Sequence, residues 1–346
     1  MALLAVVTSS PAGVEGGHMV IARSLVRAAR DAGYDARLVV TPDFGFGRQT
    51  RSYLANLRYD VRRIEGRTVD QVISLRYPSY AVRHPRHVCW LNHTMREYYD
   101  RWPAFSSSIS APNRAKESMR RVLTHAADRY LLGRHVRRVV AQSQTIQRRL
   151  LDDFGIRAEV LLPPPPQRPY RCDGYGPEIL VVSRLTPHKR VDLAIRAIAE
   201  PAAQRVRLLI VGDGDCRAEL ERLAATLQVA ERARFLGAID DRALVDHLAR
   251  CRAVCFTPIE EDYGFVTVEA FASRKAVVTC RDSGGPVELV ADGESGFVCD
   301  PTPSAIAGAM ARLVDDRALA ERLGAGGAAR ASAMSWRAVV RALVSV

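Results

Sequence analysis

Residues 3–8 read LLAVVT, residues 17–32 GHMVIARSLVRAARDA and residues 36–41 ARLVVT. The first is a continuous apolar run of strand length, the last a mostly apolar one interrupted by Arg37, and the middle one spaces its apolar residues at helical intervals. Gly33 follows the helical run, where glycine ends a helix by taking the left-handed backbone that other residues resist. Strand, helix, strand in this order predicts an α/β fold on a parallel, doubly wound sheet.

Working outward, strands are predicted at Gln71–Leu75, His87–Leu91 and Arg138–Ala141, with an arginine-rich helix over Pro112–Leu132. Four consecutive prolines, Pro163 to Pro166, can continue neither strand nor helix and form a stiff link. The alternation then restarts, with strands at Ile179–Ser183, Arg207–Val211, Ala233–Leu236, Ala253–Phe256 and Ala276–Thr279. Helices are expected at Pro303–Leu313, Arg317–Arg330 and Trp336–Leu343. A chain of 346 residues exceeds one ordinary α/β core, so two domains are expected, 1–165 and 166–334, with 335–346 as a final helix.

A hydrophobic fraction of 48% with 25% charged residues fits a globular protein, and no apolar run has the length of a membrane-spanning helix. Met1–Val7 is apolar but has no basic segment before it and is too short for a signal peptide, so the expected location is cytoplasmic. The seven cysteines are odd in number and scattered, which argues against a disulfide framework or a zinc site. Cys251 and Cys255 flank a predicted strand, where each reads as a small buried hydrophobe. The net charge of +12 is uneven: residues 1–170 hold 27 Lys and Arg against 14 Asp and Glu, and the remainder is close to neutral. An arginine-heavy first half suits an anionic partner such as nucleic acid, membrane or phosphorylated substrate. Genome composition explains the choice of Arg over Lys, but not the asymmetry.

Three stretches of the second half carry chemistry. Ser183-Arg184-Leu185-Thr186-Pro187-His188-Lys189 follows a predicted strand, placing a guanidinium and an ammonium where open α/β sheets bind ligands. Five residues apart, they suit a diphosphate, although two solvated charges around a proline turn would read the same way. Glu260-Glu261-Asp262-Tyr263-Gly264-Phe265-Val266-Thr267-Val268-Glu269 runs from a strand end into a helix, whose first amides are free to face phosphate. Glu261 precedes that helix and Glu269 lies more than a turn inside it, so they read as contacts to different parts of one ligand. An acidic cluster favoured by the helix dipole accounts for residues 260–262 but not for Glu269. Ser283-Gly284-Gly285-Pro286-Val287-Glu288 allows close backbone approach to a ligand, or makes an ordinary tight turn. Gly13-Val14-Glu15-Gly16-Gly17-His18 repeats the device after the first strand, but lacks the spacing and the acidic residue of a dinucleotide site.

Together these stretches resemble the retaining family-4 glycosyltransferases of GT-B fold, in which two Rossmann-like domains present parallel sheets across a cleft. The resemblance rests on Glu261-x7-Glu269, then Gly284-Gly285 and Glu288, with Arg184 and Lys189 at the spacing of the family's diphosphate-binding pair. It extends from Gly16-Gly17 to Ser335-Trp336, where the family's last helix crosses back to the first domain. Tyr77-Pro78-Ser79-Tyr80 through Trp90-Leu91-Asn92-His93 is similar to a bacterial subgroup, with His93 where that family keeps a donor-site histidine.

The resemblance implies an acceptor domain first and a donor domain second. Glu261 would contact the hydroxyls of the transferred sugar and Glu269 the nucleotide ribose. Arg184 and Lys189 would neutralise the leaving diphosphate, and Gly16, Gly17 and the amides of Gly264, Phe265 and Val266 would complete its cradle. His93 would hold a sugar hydroxyl, or is a core or surface histidine at a strand end. No separate cofactor is implied; the donor would be a nucleotide-diphosphate sugar, UDP- or GDP-linked. The acceptor would be a glycan, lipid-linked or small molecule, and the basic first half suggests peripheral contact with an anionic membrane, through the arginine-flanked stretch Val122–Val140. Nucleic acid is not expected as a partner. The chain departs from the family at Ser183, where glycine is usual, and at Arg274 and Ala276, where the family has Gly and Pro. Two rival readings remain: a metal-dependent transferase using Asp213 and Asp215, which also suit a turn cap, and a nonenzymatic binder of anionic polymers.

Overall fold

The computed structural model describes residues 1–11 and 16–345 and forms two compact units, residues 1–163 together with the segment from Ser335 onward, and residues 164–334. In the first unit, six parallel strands make one sheet: β1 (Leu3–Ser10), β2 (Asp35–Pro42), β3 (Gln71–Ser74), β4 (His87–Leu91), β5 (Arg138–Ala141) and β6 (Glu159–Val160). Their order is β2-β1-β3-β4-β5-β6. β1 is buried along almost its whole length, which is why its sequence shows no polar alternation. Helix α1 (Gly17–Asp31) follows it, burying Met19, Ile21, Leu25 and Val26.

Helix α2 (Ala111–Tyr130) ends two residues earlier than its pattern predicts, because Leu131–His135 winds into one wide π turn before β5. A helix at Trp336–Leu343 belongs to this first unit. Ser335 Oγ accepts its Ala338 amide at 3.4 Å, and Trp336 meets Trp90 edge-on at 6.2 Å. Gln71 Nε2 donates to the Leu343 carbonyl at 2.7 Å, fixing the end of that helix to β3.

The second unit repeats the plan with β7 (Glu178–Val182), β8 (Arg207–Val211), β9 (Ala233–Gly237), β10 (Ala253–Cys255), β11 (Ala276–Cys280) and β12 (Gly296–Cys299). These too are all parallel, in the order β9-β8-β7-β10-β11-β12. Its core gathers Ile179, Val181, Ile195, Ile198, Leu208 and Ile210 with residues of the late helices such as Met310 and Leu323. Cys251 and Cys255 are both buried and pack as small hydrophobes. Among the described residues no helix is long and apolar enough to cross a membrane.

Arg274 stands where the resemblance leads to the expectation of glycine. Its φ is 57°, in the left-handed region that disfavours a side chain by about 1–2 kcal/mol. The side chain is exposed, and the backbone alone is used, the amide donating to Phe271 O at 2.9 Å and the carbonyl accepting from Tyr175 Oη at 2.6 Å. Glycine gives back part of the gain as unfolded-state entropy. Arg274→Gly is therefore expected to raise the melting temperature of the second unit by roughly 1–2 °C. A fall in calorimetry would show that the arginine itself stabilises the turn.

Candidate active site

The order of the second sheet reverses between β7 and β10: the chain runs outward through β8 and β9, then returns to the other side of β7. Loops at the carboxyl ends of strands flanking such a switch point diverge and leave a crevice for ligand. The loop after β7 carries Arg184 and Lys189, and the loop after β10 carries Glu261 and Gly264. The fold thus brings to one sheet edge two motifs more than seventy residues apart.

Arg184 is held by its neighbours' backbone and free at its head. Ser183 N donates to Val211 O at 3.0 Å and Leu185 N to Asp213 O at 2.9 Å, while Leu185 is fully buried. The Arg184 side chain is exposed and makes no hydrogen bond or ion pair among the described residues. Gly212 makes this close packing feasible, since a Cβ there would lie 1.8 Å from Ser183 O. Asp213 serves the same loop: Oδ1 accepts from Gly214 N at 2.8 Å and Oδ2 pairs with Arg217 at 3.3 Å. Asp213 thus acts within its own turn, while the helix that follows at Arg217–Thr226 has Cys216 at its N-cap and no side-chain cap bond.

Lys189 is differently placed. Its Nζ lies 2.6 Å from Glu261 Oε2 and 5.5 Å from the Phe256 ring centroid, and both charged side chains keep 17–18% of their surface exposed. The sequence assigned Lys189 and Glu261 to different parts of a ligand; the structure joins them as an ion pair. The next residue, Arg190, escaped the sequence reading altogether. Its guanidinium grips Asp282 with two hydrogen bonds of 2.7 and 2.6 Å and reaches the carbonyls of Thr257 and Pro258 at 2.8 Å each. One side chain thereby ties together the loops after β7, β10 and β11. The only hint in the sequence was a second basic residue beside Lys189.

The loop after β10 leads into an eight-residue helix, α3 (Phe265–Ala272), entered through Gly264 at φ 87°. The amides of Gly264, Phe265 and Val266 donate to no acceptor among the described residues. Phe265 and Val266 are half-buried rather than core residues. The helix start and Lys189 share one wall, because Gly264 also sits against Phe256. Gly284 and Gly285 serve this loop. Glu261 N donates to Ser283 O and Gly285 N to Glu261 O, and a Cβ on either glycine would fall within 2.6 Å of backbone of Glu261 or Tyr263. The paired glycines let one loop of the protein lie on another.

Glu269 lies inside α3 with 4% of its surface exposed. Its Oε1 accepts from Arg168 and, at 2.9 Å, from Tyr170 Oη, and Arg168 also pairs with Asp241 at 2.7 Å. Oε2 accepts nothing among the described residues. Burial pushes the carboxyl above the usual range, opposed by the Arg168 charge and the Tyr170 hydrogen bond. Arg168 and Tyr170, just past the proline run, were not predicted; nothing in sequence links them to a residue about a hundred positions on.

In the first unit the sheet reverses between β1 and β3. Gly16, the extended N-cap of α1, and Gly17 lie in the loop after β1, while Gly13, Val14 and Glu15 of that loop fall outside the described residues. His93 follows β4, half-buried, with Nδ1 2.8 Å from Thr94 O and its own carbonyl accepting from Tyr77 N.

Comparison with known proteins identifies the scaffold. Residues 169–330 match the family described as Glycosyl transferases group 1. A D-inositol 3-phosphate glycosyltransferase of Acidothermus cellulolyticus is 33% identical over 236 residues, 60% of this chain and 52% of its own. The GDP-mannose-dependent alpha-(1-6)-phosphatidylinositol monomannoside mannosyltransferase of Mycolicibacterium smegmatis is 35% identical over 188 residues, 50% and 49% of the two chains. The chain spans about half or less of the length of the curated relatives it matches. Sucrose-phosphate synthase from Thermosynechococcus elongatus shares the fold with a TM-score of 0.77 at 17% identity, covering 99% of this chain and 97% of that one. Anabaena HepE with UDP and glucose gives 0.72 at 18% identity, covering 98% and 97%. The two parallel α/β units have the GT-B fold of these solved structures, and residues 169–330 are similar to the glycosyl transferases group 1 family.

Proposed function

We propose that the protein is a retaining glycosyltransferase that moves a hexose-type sugar from a nucleotide-diphosphate donor to a glycan, lipid-linked or small-molecule acceptor in the cytoplasm. The observation that carries this reading is an Arg184 guanidinium without a partner among the described residues, on the loop beside β10, whose own loop offers three amides likewise without an acceptor at Gly264, Phe265 and Val266. Cleavage of the anomeric carbon–phosphate bond leaves positive charge on the sugar and negative charge on the diphosphate. Donors fixed at the position of that developing charge stabilise the transition state more than the ground state, which raises turnover.

Lys189 shares its charge between the diphosphate and Glu261, so Glu261 keeps an orientation from which to accept sugar hydroxyls. The free Oε2 of Glu269 suits a ribose hydroxyl, with Arg168 and Tyr170 holding the other oxygen. His93, Gly16 and Gly17 remain part of the proposed donor contacts. The acceptor hydroxyl attacks from the face that the diphosphate leaves, through an oxocarbenium-like state. Its proton passes to a leaving phosphate oxygen, and configuration is retained. A UDP or GDP donor is favoured by relatives, one of which is GDP-mannose-dependent and one of which was solved with UDP and glucose.

The test is a panel of nucleotide sugars scored by thermal shift and by release of nucleoside diphosphate. One donor should raise the melting temperature and be hydrolysed slowly; no response to any UDP- or GDP-sugar would overturn the reading. The two glutamates should then separate. Glu269→Gln keeps the packing near Arg168 but weakens the ribose contact, and should weaken nucleoside diphosphate binding by about 1–2 kcal/mol. Glu261→Gln should leave that binding intact and depress transfer. Equal losses in calorimetry would contradict the division.

A further inference from the structure

Helix α2 is turned inside out. Glu117, Thr124 and Asp128, which share one side at helical spacing, are its buried residues. The two carboxylates bind tyrosines: Tyr98 Oη donates to Glu117 at 2.6 Å, and Tyr53, Tyr80 and Tyr99 donate to Asp128. His125 reinforces this side by stacking on Tyr99 at 4.1 Å. Polar bonds of this kind hold the helix inward, so the opposite face is not needed for the core.

That opposite face is apolar and exposed. Met119, Val122, Leu123 and Tyr130 keep 70, 67, 60 and 60% of their surface in water, and Ala115 and Ala126 complete a stripe about 100° wide. Its surroundings are basic. Arg114, Lys116, Arg129, Arg134 and Arg137 are exposed, and between Ala111 and Arg137 no acidic residue is. Where Arg114 and Arg129 bond to protein, they bond to the carbonyls of Ser106 and Asp153, which leave their charge uncompensated.

We propose that this face docks on an anionic lipid bilayer, with α2 lying along the surface, its apolar stripe at the acyl boundary and its arginines among the headgroups. The charge decides the occupant. A second copy would bring an equally basic face against this one, whereas anionic lipid meets both the stripe and its flanks. Long basic side chains bury their stems beside the apolar residues while the charge stays at headgroup level. The proposal is independent of the donor reading, because binding to vesicles requires no turnover.

The experiment is flotation of the full chain with phosphatidylcholine vesicles, with and without phosphatidylglycerol, at low and high salt. The protein should float only with phosphatidylglycerol present, and substantially less at high salt. The triple variant Met119→Ser, Val122→Ser, Leu123→Ser should bind at least tenfold more weakly with unchanged melting, since all three side chains are exposed. Lys116→Glu with Arg134→Glu should weaken binding and flatten its salt dependence. No flotation of the wild type at low salt, equal binding to neutral vesicles, or a triple variant that binds like the wild type would overturn the proposal. So would a wild-type dimer in sedimentation that the triple variant dissolves, which would assign the stripe to a second copy.

Discussion

Arg184→Ala should lower turnover on the true donor by about 2–4 kcal/mol in barrier, roughly a hundredfold to a thousandfold, and leave melting without ligand unchanged. The two halves of this expectation have separate causes. Arg184 is fixed through its backbone, by the carbonyls of Val211 and Asp213, so the alanine variant keeps every bond that shapes the loop. The head group has no partner among the described residues, so none of them is left unsatisfied when it is removed. On the proposed reading, what disappears is a charge that acts only when a diphosphate is present. Arg184→Lys should recover part of the loss, since an ammonium keeps the charge but not the two-pronged geometry. Lys189→Ala should also lose turnover, but less cleanly, because it frees Glu261 to move as well. Wild-type turnover in Arg184→Ala would remove the diphosphate role from this loop.

The contrast between Arg184 and Arg190 shows what the sequence could and could not reveal. Strands buried on both faces announce themselves as apolar runs, and His87–Leu91, Arg138–Ala141 and Arg207–Val211 occur at their predicted bounds. The hairpin of Arg63–Ile64 with Arg67–Thr68 is too short and polar to show a period; it exists because Glu65 and Gly66 both turn at positive φ. β12 at Gly296–Cys299 was likewise missed, because its opening glycine and the polar residues just before it read as a loop. In the candidate site the motif residues were legible because their spacing along the chain is local. Their partners were not. Arg190 reaches Asp282 and Arg168 reaches Glu269 across 92 and 101 residues, distances that only the sheet order closes. The paired glycines were read as room for a ligand, and proved to be room for the Glu261 loop.

Two buried groups in the first unit should give it a pH response made of opposing parts. Asp128 is fully buried, and burial pushes its carboxyl up to about 6 although three tyrosine hydroxyls donate to it. Unfolded, the same group titrates near ~4. The folded state therefore holds the proton more tightly, and the stability this gives is present below about 4 and lost as pH rises through 6. His87 has the opposite sign. It is buried on β4 with Nε2 2.8 Å from Ser74 Oγ, and burial, helped by the charges of His135 and His84, pulls it down to about 3. Its neutral form contributes stability above about 6.5, which is lost as pH falls toward 3. At pH ~5, relative to pH ~7.5, Asp128 contributes about 1 kcal/mol in favour of folding and His87 about 2 kcal/mol against it. Asp153, half-buried and also pushed up to about 6, acts with the sign of Asp128, so the two carboxyls offset the histidine and the wild-type melting temperature should change little on this acidification. Asp128→Asn removes most of the compensation and should produce a fall. His87→Gln can keep the bond to Ser74 without titrating, and should give the opposite sign, melting higher at pH ~5 than at pH ~7.5. Comparing slopes rather than absolute melting points separates titration from packing losses in either variant. Parallel pH profiles for the wild type and both variants would show that neither group is charged or discharged by folding.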